Sequence, residues 1–300
     1  MGFQAGRGRR RPLRMALTGL GSAMVALFVV AAVSAQGLSW NHNPDDAALG
    51  PSGWGTIDPS FETCLTGESQ TPVDIAAGAP TTGAQLQFSY PDNPLVVENN
   101  GHVIEVPIPA GNGNTLRVGS NTYSLLQFHF HAPSEHTLNG RSFPMELHLV
   151  HRNTAGELAV VGVFLEVGPG SRPLFDDIFT NAPDVAGEEH ETHAEMNAKS
   201  ILPALASAAV QSPAVQMPGV GGADQLGMIG RYNAYSGSLT TPPCSEGVSW
   251  YVLKDTVRIS QTAVDRMHEL VAEFPGYEGF PDNNRPVQPL NGRTITNVEN

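Results

Sequence analysis

Two short runs in which polar and apolar residues alternate constrain the fold of this chain more than any other feature. They span Tyr123–His131 and Met145–His151. Residues two apart in a strand point to the same side, so each run predicts a strand with one apolar face. The opposite faces carry Gln127, His129, His131, Glu146, His148 and Val150.

Three histidines on these faces form a pattern typical of a catalytic metal site. Two imidazoles from one strand and one from its neighbour can converge on a single point, here from His129, His131 and His148. Three neutral nitrogen donors leave the fourth tetrahedral position open, as in catalytic rather than structural zinc sites. The alternative is three surface histidines on ordinary strands.

The first 35 residues are predicted to be an export signal rather than part of the fold. Five arginines precede an apolar run over residues 15–33, and Ser34-Ala35 follows it. A basic start, an apolar middle and small residues before the cut are typical of secretory signals. We therefore expect a signal peptide over 1–35, a mature domain over 36–300 and a periplasmic or secreted location. No stable membrane anchor is expected, and an uncleaved anchor is the alternative.

Composition predicts one large, loop-rich and acidic domain. The chain has 300 residues with 24 Pro and 32 Gly, and nothing suggests a second domain. Loss of the five N-terminal arginines, with no acid lost, takes the formal net charge from −13 to −18. An acidic exported domain is a poor candidate for binding nucleic acid, so no such partner is expected.

The chain has two cysteines, Cys64 and Cys244. In an exported protein this favours a single disulfide, which would close a loop of about 180 residues. A role as zinc ligands is the alternative, although neither cysteine has a partner at metal-site spacing.

The rest of the mature part is predicted to be mainly β with few helices. Runs separated by turn signals predict further strands over 85–90, 95–98, 102–108, 115–118, 158–166 and 249–259. The clearest helix is Ser260–Phe274, with Ser260 as its cap. Residues 204–228 are rich in Ala, Gly and Pro and predict a long surface loop, with a lid or partner-binding loop as the alternative.

Motifs spread over residues 40–293 resemble those of the α-class carbonic anhydrases, most closely of their exported bacterial members. The matching segments include Gly50-Pro51, Gln70-Thr71-Pro72-Val73-Asp74-Ile75, Asn99-Asn100-Gly101-His102, Gln127–His131, Ser134–His136, Glu146–His151, Gly237–Gly247 and Asn284-Arg285-Pro286. The resemblance implies a mainly β (α+β) single domain around a large, twisted, mainly antiparallel ten-stranded sheet with a few short surface helices.

The resemblance also implies a zinc (Zn2+) lyase that interconverts carbon dioxide and bicarbonate by attack of zinc-bound hydroxide. Zinc would lower the pKa of its bound water to about 7, a value known from this family itself. The implied metal ligands are His129, His131 and His148. Gln127 and Glu146 would hold His129 and His148 through their other ring nitrogens.

Further roles around the metal are implied by the same resemblance. Thr240 would accept a hydrogen bond from the hydroxide and donate its own proton to Glu135, which selects ligands that carry a proton. His102 would shuttle protons, because an imidazole pKa of about 6.5 suits proton exchange near neutrality. The apolar wall for carbon dioxide and the pocket entrance are assigned to Val150, Val160, Leu239, Trp250 and Thr241. Without the resemblance, Thr240 would be read as a turn residue and His102 as a surface histidine. The residues of the apolar wall would be read as ordinary core.

Some features depart from the family pattern. His42 stands where the family usually has a tyrosine, and Glu105 where it commonly has Asn or Gln. The segment over 204–228 is longer than the family norm. His190 and His193 lie in an acidic stretch that predicts a solvated turn, with a second metal site as the alternative. Structural roles are expected for His136, His151 and Arg285.

Three other functions compete with carbon dioxide hydration. They are a non-catalytic binding module on the same fold, a zinc hydrolase acting on esters, and a surface interaction protein working through residues 204–228. The complete ligand set together with Glu135 and Thr240 favours the enzyme. A homodimer is among the oligomeric states that the sequence allows.

Overall fold

The computed structural model describes residues 1–2, 39–203, 206–207 and 227–300 of the chain. The chain divides into two units, Met1–Gln36 and Gly37–Asn300, and the second carries the fold. The predicted signal peptide and most of the predicted 204–228 loop lie outside the described residues. Within those residues, no helix has both the length and the apolar character needed to cross a membrane.

Strands dominate the described architecture, as the alternating runs predict. They are β1 Asp74–Ile75, β2 Leu86–Ser89, β3 Asn93–Asn99, β4 Ile104–Pro107, β5 Thr115–Val118, β6 Asn121–His131, β7 Thr137–Leu138, β8 Met145–Arg152, β9 Leu158–Val167, β10 Glu188–Met196, β11 Ala206–Ser207, β12 Gly227–Ile229, β13 Arg231–Ser238, β14 Glu246–Leu253, β15 Val257–Ile259 and β16 Thr296–Glu299. The helices are α1 Trp54–Ile57, α2 Thr63–Thr66, α3 Pro173–Asn181 and α4 Gln261–Ala272, with short 3-10 helices at Pro59–Phe61 and Ala198–Ile201.

Fourteen of the described strands form one sheet. Ten of them lie on one continuous path, in the order β11-β12-β2-β5-β6-β8-β9-β14-β13-β16. Of the other four, β4 pairs with β6, β3 with β4, β10 with β3, and β15 with β9. Within this sheet β14 and β15 run parallel to β9, and the other pairs are antiparallel. The predicted mainly β class and large, mainly antiparallel sheet are confirmed, with four strands beyond the expected ten.

The register between β6 and β8 brings the predicted polar faces together. His129 lies directly opposite His148, and His131 lies opposite Glu146. Side chains that face each other across an antiparallel pair have Cβ atoms about 4.5–5.5 Å apart. Two neighbouring cross-strand pairs therefore gather three imidazoles on one side of the sheet.

The apolar faces of the same two strands form the main core on the other side. Phe128, Phe130, Leu147 and Leu149 are fully buried there. The Phe130 ring packs on α3, with its centroid 5.0 Å from that of Phe179. Burying each such side chain contributes about 1.5–3 kcal/mol, so this layer holds the strands whose opposite faces carry the histidines.

The predicted helix near the C-terminus is confirmed as α4. The Ser260 hydroxyl oxygen accepts the backbone N–H of Ala263 at 3.1 Å, which is the expected N-cap bond. The helix ends at Ala272, two residues before the predicted end.

Two predictions about local structure are wrong. The acidic stretch around His190 and His193 is not a turn but part of β10, which pairs antiparallel with β3. Most side chains of β10 are exposed, so backbone pairing rather than an apolar face makes it a strand. The predicted strand over 249–259 is interrupted between Leu253 and Val257, and both halves pair parallel with β9.

Candidate metal centre

Three imidazoles from β6 and β8 meet on the polar side of the sheet. One nitrogen from each of His129, His131 and His148 lies within 4.8 Å of the other two. The three ring centroids are 4.7 to 5.3 Å apart. The structure thus brings together the residues that the two sequence runs predicted to converge.

Hydrogen bonds determine which nitrogen each ring of β6 presents. Nδ1 of His129 donates to Oε1 of Gln127 at 2.8 Å, and Nδ1 of His131 donates to the backbone oxygen of Asn283 at 2.7 Å. Amide and carbonyl oxygens only accept, so both neutral rings carry their proton on Nδ1. Their Nε2 atoms keep a lone pair that is available to a metal.

The ring of His148 is held the opposite way round by Glu146. Oε1 of Glu146 accepts from Nε2 of His148 at 3.0 Å and from Nδ1 of His136 at 2.7 Å. Burial would raise the pKa of Glu146, but the two imidazoles hold it well below its usual range. Glu146 is therefore an ionised acceptor, and His148 presents the lone pair of Nδ1. The ring of His136 thus links Glu146 to Tyr235, because its other nitrogen, Nε2, lies 2.6 Å from the Tyr235 hydroxyl.

The donor set fits a zinc ion. Burial lowers the pKa of all three rings, to about 4 for His131, so they are neutral at pH 7. Nε2 of His131 is buried and has no hydrogen-bond partner among the described residues. Three neutral imidazoles with one open position are the arrangement of catalytic zinc.

Glu135 lies beside the three histidines, and the Thr240 side chain interacts with Glu135. Oε2 of Glu135 is 3.5 Å from Nε2 of His131 and 3.8 Å from Nδ1 of His148. Its Oε1 accepts the backbone N–H of Arg285 at 2.9 Å. Burial raises the pKa of Glu135 to about 7, although His148, the Arg285 N–H and the Thr240 side chain lower it.

The predicted substrate wall belongs to one apolar cluster on the same side of the sheet. Its members include Val150, Val160, Leu239 and Trp250. The Trp250 ring centroid is 4.9 Å from that of His148, so this cluster reaches the three-histidine site. Thr241 is half-buried, and its backbone oxygen accepts the N–H of Cys244 at 2.8 Å.

His102 lies in a ring stack rather than in open solvent. Its ring is parallel to that of Trp40 within 5°, with centroids 3.7 Å apart. Burial lowers the pKa of His102 to about 4, so the pKa near 6.5 expected for a proton shuttle is not met in this arrangement.

Sequence reasoning missed Asn283 and left His42 open. The Asn283 backbone oxygen fixes the ring of His131, and its side-chain amide donates to the backbone oxygens of Phe130 and His102 at 3.1 Å each. Its one sequence signal is its place beside the Asn284-Arg285-Pro286 motif. His42 is buried and shares a hydrogen bond with the Tyr277 hydroxyl.

The sequence also singled out two cysteines, Glu105 and the two histidines of β10. The predicted disulfide between Cys64 and Cys244 is confirmed. Glu105 lies opposite His129 across the pairing of β4 with β6, and burial together with the charge of Glu98 raises its pKa to about 8. His190 and His193 of β10 belong to none of the groups of three possible metal ligands found among the described residues.

Replacement of His151 should change how stability depends on pH. This buried ring bonds the Tyr90 hydroxyl at 2.6 Å and the Ala159 backbone oxygen at 3.2 Å. Burial lowers its pKa from 6.5 to about 4. Between these values the unfolded chain binds the proton and the folded chain does not. The contribution of the neutral His151 ring to folding stability is therefore complete above pH 6.5 and is lost as the pH falls to 4.

The measurement is urea unfolding of metal-free wild type and His151→Gln between pH 7 and pH 4. As the pH falls from 7 to 4, we expect the unfolding free energy of the wild type to lose its advantage over that of His151→Gln by up to about 3 kcal/mol. A difference that stays constant with pH would contradict the assigned shift.

The sequence of this chain is similar to those of known proteins over most of its length. It matches the family described as eukaryotic-type carbonic anhydrase over residues 49–299. It is 36% identical over 256 residues to a carbonic anhydrase of Neisseria gonorrhoeae, covering 85% of this chain and 86% of that protein. It is 32% identical over 278 residues to a carbonic anhydrase of Klebsiella pneumoniae, covering 93% and 98%.

Solved structures show the same likeness. The α-carbonic anhydrase from Thermovibrio ammonificans, in complex with the inhibitor sulfanilamide, aligns with a TM-score of 0.71 and 33% identity. The alignment covers 87% of this chain and 99% of that one. The likeness therefore includes the fold as well as the sequence.

Proposed function

The chain belongs to the eukaryotic-type, or α-class, carbonic anhydrase family, and on that basis we propose that it hydrates carbon dioxide reversibly to bicarbonate and a proton with the help of zinc. The observation that carries the proposal is the convergence of three imidazole lone pairs from His129, His131 and His148. Imidazole donors with one open position favour zinc among the common divalent metals.

Zinc, when bound, supplies a water whose pKa is about 7 in carbonic anhydrase itself, and hence a nucleophile at neutral pH. The residues of this chain orient the ligands. Gln127 and the Asn283 carbonyl hold the two rings of β6 by their Nδ1–H groups, and Glu146 holds His148 by its Nε2–H. Such outer bonds typically change metal affinity by about 10–100-fold when lost.

Thr240 and Glu135 select what enters the open position. Glu135 is buried, and its Oε2 lies within 4 Å of two of the imidazoles. We assign the Thr240 hydroxyl as a donor to Glu135, which leaves the Thr240 oxygen as an acceptor. Only a ligand that carries a proton can then satisfy Thr240.

The apolar cluster beside His148 suits a nonpolar substrate. Val150 and Leu239 are its half-buried members, whereas Val160 and Trp250 are 2% exposed. Apolar side chains offer no hydrogen bonds, so water at this wall is readily displaced by carbon dioxide.

We assign proton release to His102. Its stack on Trp40 and its pKa of about 4 mean that the ring must turn toward water before it takes a proton at pH 7. The His102→Ala variant should hydrate carbon dioxide at least about 10-fold more slowly in dilute buffer, since proton transfer by a positioned side chain contributes about 10²–10⁴-fold.

Stopped-flow rates at several imidazole concentrations test this assignment. Added imidazole should restore the rate of His102→Ala, while His268→Ala, which alters a histidine on α4, should behave like wild type. Equal rates for His102→Ala and wild type in dilute buffer would remove His102 from the proton path.

The function itself is tested by comparing two substrates on the purified, zinc-loaded chain. We expect kcat/KM for carbon dioxide to exceed that for 4-nitrophenyl acetate by several orders of magnitude. A higher efficiency on the ester would favour the hydrolase alternative. A folded chain that binds no metal and turns over neither substrate would favour a binding module.

We also propose that residues 1–35 direct export and that the mature chain acts in the periplasm or outside the cell. The basic and apolar composition of this segment supports the proposal. N-terminal sequencing of exported protein should find Gln36 first. Intact Met1 on protein that remains with the cytoplasmic fraction would contradict it.

A further inference from the structure

The buried polar atoms that lack hydrogen-bond partners within the described part of the chain include three that converge at the three-histidine site. These three are Nε2 of His42, Nε2 of His131 and Oε2 of Glu135. All three residues are at most 1% exposed. Each offers one metal-ligand atom within 4.8 Å of the other two, and Oε2 of Glu135 is 3.5 Å from Nε2 of His131.

The other polar atom of each side chain is already bonded. Nδ1 of His42, Nδ1 of His131 and Oε1 of Glu135 contact, in that order, the Tyr277 hydroxyl, the Asn283 carbonyl oxygen and the Arg285 backbone N–H. These bonds fix the directions of the free atoms, as outer-shell bonds do around metal ligands. The convergence is therefore built by three separate parts of the fold.

A shared partner explains the convergence. An unsatisfied buried polar atom destabilises a fold by about 1–3 kcal/mol, so three together indicate something polar between them. Two imidazole nitrogens and one carboxylate oxygen are an established zinc donor set. The observed 3.5 Å between Nε2 and Oε2 is close to the roughly 3.4 Å that two bonds of about 2.1 Å span at a tetrahedral angle.

We propose that His42, His131 and Glu135 form a second position for a divalent cation of the zinc, cobalt or copper type. This His42 position and the three-histidine site exclude each other, because both need Nε2 of His131. His131 then binds one ion at a time, together with either His129 and His148 or His42 and Glu135. The inference holds whether or not the chain hydrates carbon dioxide.

Cobalt(II) binding to variants tests the proposal without measuring activity. The His129→Ala/His148→Ala double variant leaves the three-histidine site with a single ligand but keeps the whole His42 position. After metal removal, it should bind about one cobalt per chain, with a visible spectrum that differs from that of the wild type. Adding His42→Phe should weaken this binding by at least about 100-fold, more than an outer-shell change does.

Two controls separate the His42 position from unspecific binding. Adding His131→Ala to the double variant should abolish cobalt binding, because His131 is common to both sites. Adding His268→Phe, on the surface of α4, should leave it unchanged. Metal analysis after gel filtration gives the stoichiometry, and circular dichroism shows that each variant is folded.

Two results would overturn the proposal. One is a folded double variant that binds no cobalt, which would mean that an ordered water satisfies the three atoms. The other is cobalt binding that does not weaken when His42→Phe is added. If the alanine pair does not fold, His129→Gln/His148→Gln retains side-chain volume and is judged by the same two results.

Discussion

We expect the His131→Ala variant to hold no stoichiometric zinc and to hydrate carbon dioxide at least about 10³-fold more slowly than the wild type. A bound metal supplies several kcal/mol of transition-state stabilisation, and about 4 kcal/mol corresponds to 10³ in rate. His131 is the most informative ligand because it belongs to both proposed metal positions. Its loss leaves neither of them complete.

The test is zinc analysis and stopped-flow hydration on the purified variant after exposure to excess zinc. His268→Ala removes a histidine outside both positions and should keep full zinc and full activity. A folded His131→Ala variant with one zinc per chain and a near-wild-type rate would refute the assignment of the ligands.

The Cys64→Ser/Cys244→Ser double variant should be less stable than the oxidised wild type by up to about 5 kcal/mol. The bond closes a sequence separation of 180 residues, and the chain-entropy account assigns about 5 kcal/mol to a loop of this length. For a domain of this size, such a loss corresponds to a fall in Tm of roughly 10–20 °C.

This disulfide also holds the segment that carries Thr240. The Cys244 backbone oxygen accepts from Nε2 of Gln70 at 3.1 Å, and its N–H donates to the Thr241 oxygen at 2.8 Å. The Arg285 guanidinium donates to the Cys64 oxygen at 3.2 Å on the other side of the bond. We therefore expect the double variant to lose activity at temperatures where it is still folded.

Thermal unfolding followed by circular dichroism, with and without reductant, measures this effect. Reductant should lower the Tm of the wild type toward that of the double variant and leave the double variant unchanged. Equal Tm values for oxidised wild type and double variant would show that the bond does not stabilise the fold.

The parts of the fold that sequence could predict are those governed by local pattern. The alternation in β6 and β8 predicted both strands and the face that carries the histidines, because side chains alternate sides along a strand. Ser260 marked the start of α4, since hydroxyl side chains cap free backbone N–H groups. The family resemblance supplied the sheet architecture, which local pattern does not contain.

The parts that sequence could not predict depend on distant contacts. The acceptor for His131 is the backbone oxygen of Asn283, 152 residues away, and a backbone carbonyl leaves no residue-type signal. The strand β10 has exposed, acidic side chains, and only its pairing with β3 makes it extended. The low pKa of His102 comes from burial in its stack on Trp40, which its local motif does not reveal.

In the proposed centre, three imidazoles hold one zinc ion and leave one position open. Crystals of the purified wild-type chain, measured at the zinc absorption edge, test this arrangement most directly. We predict one anomalous peak about 2.0–2.1 Å from Nε2 of His129, Nε2 of His131 and Nδ1 of His148. A fully occupied peak elsewhere, or no peak from crystals grown with zinc, would contradict the account.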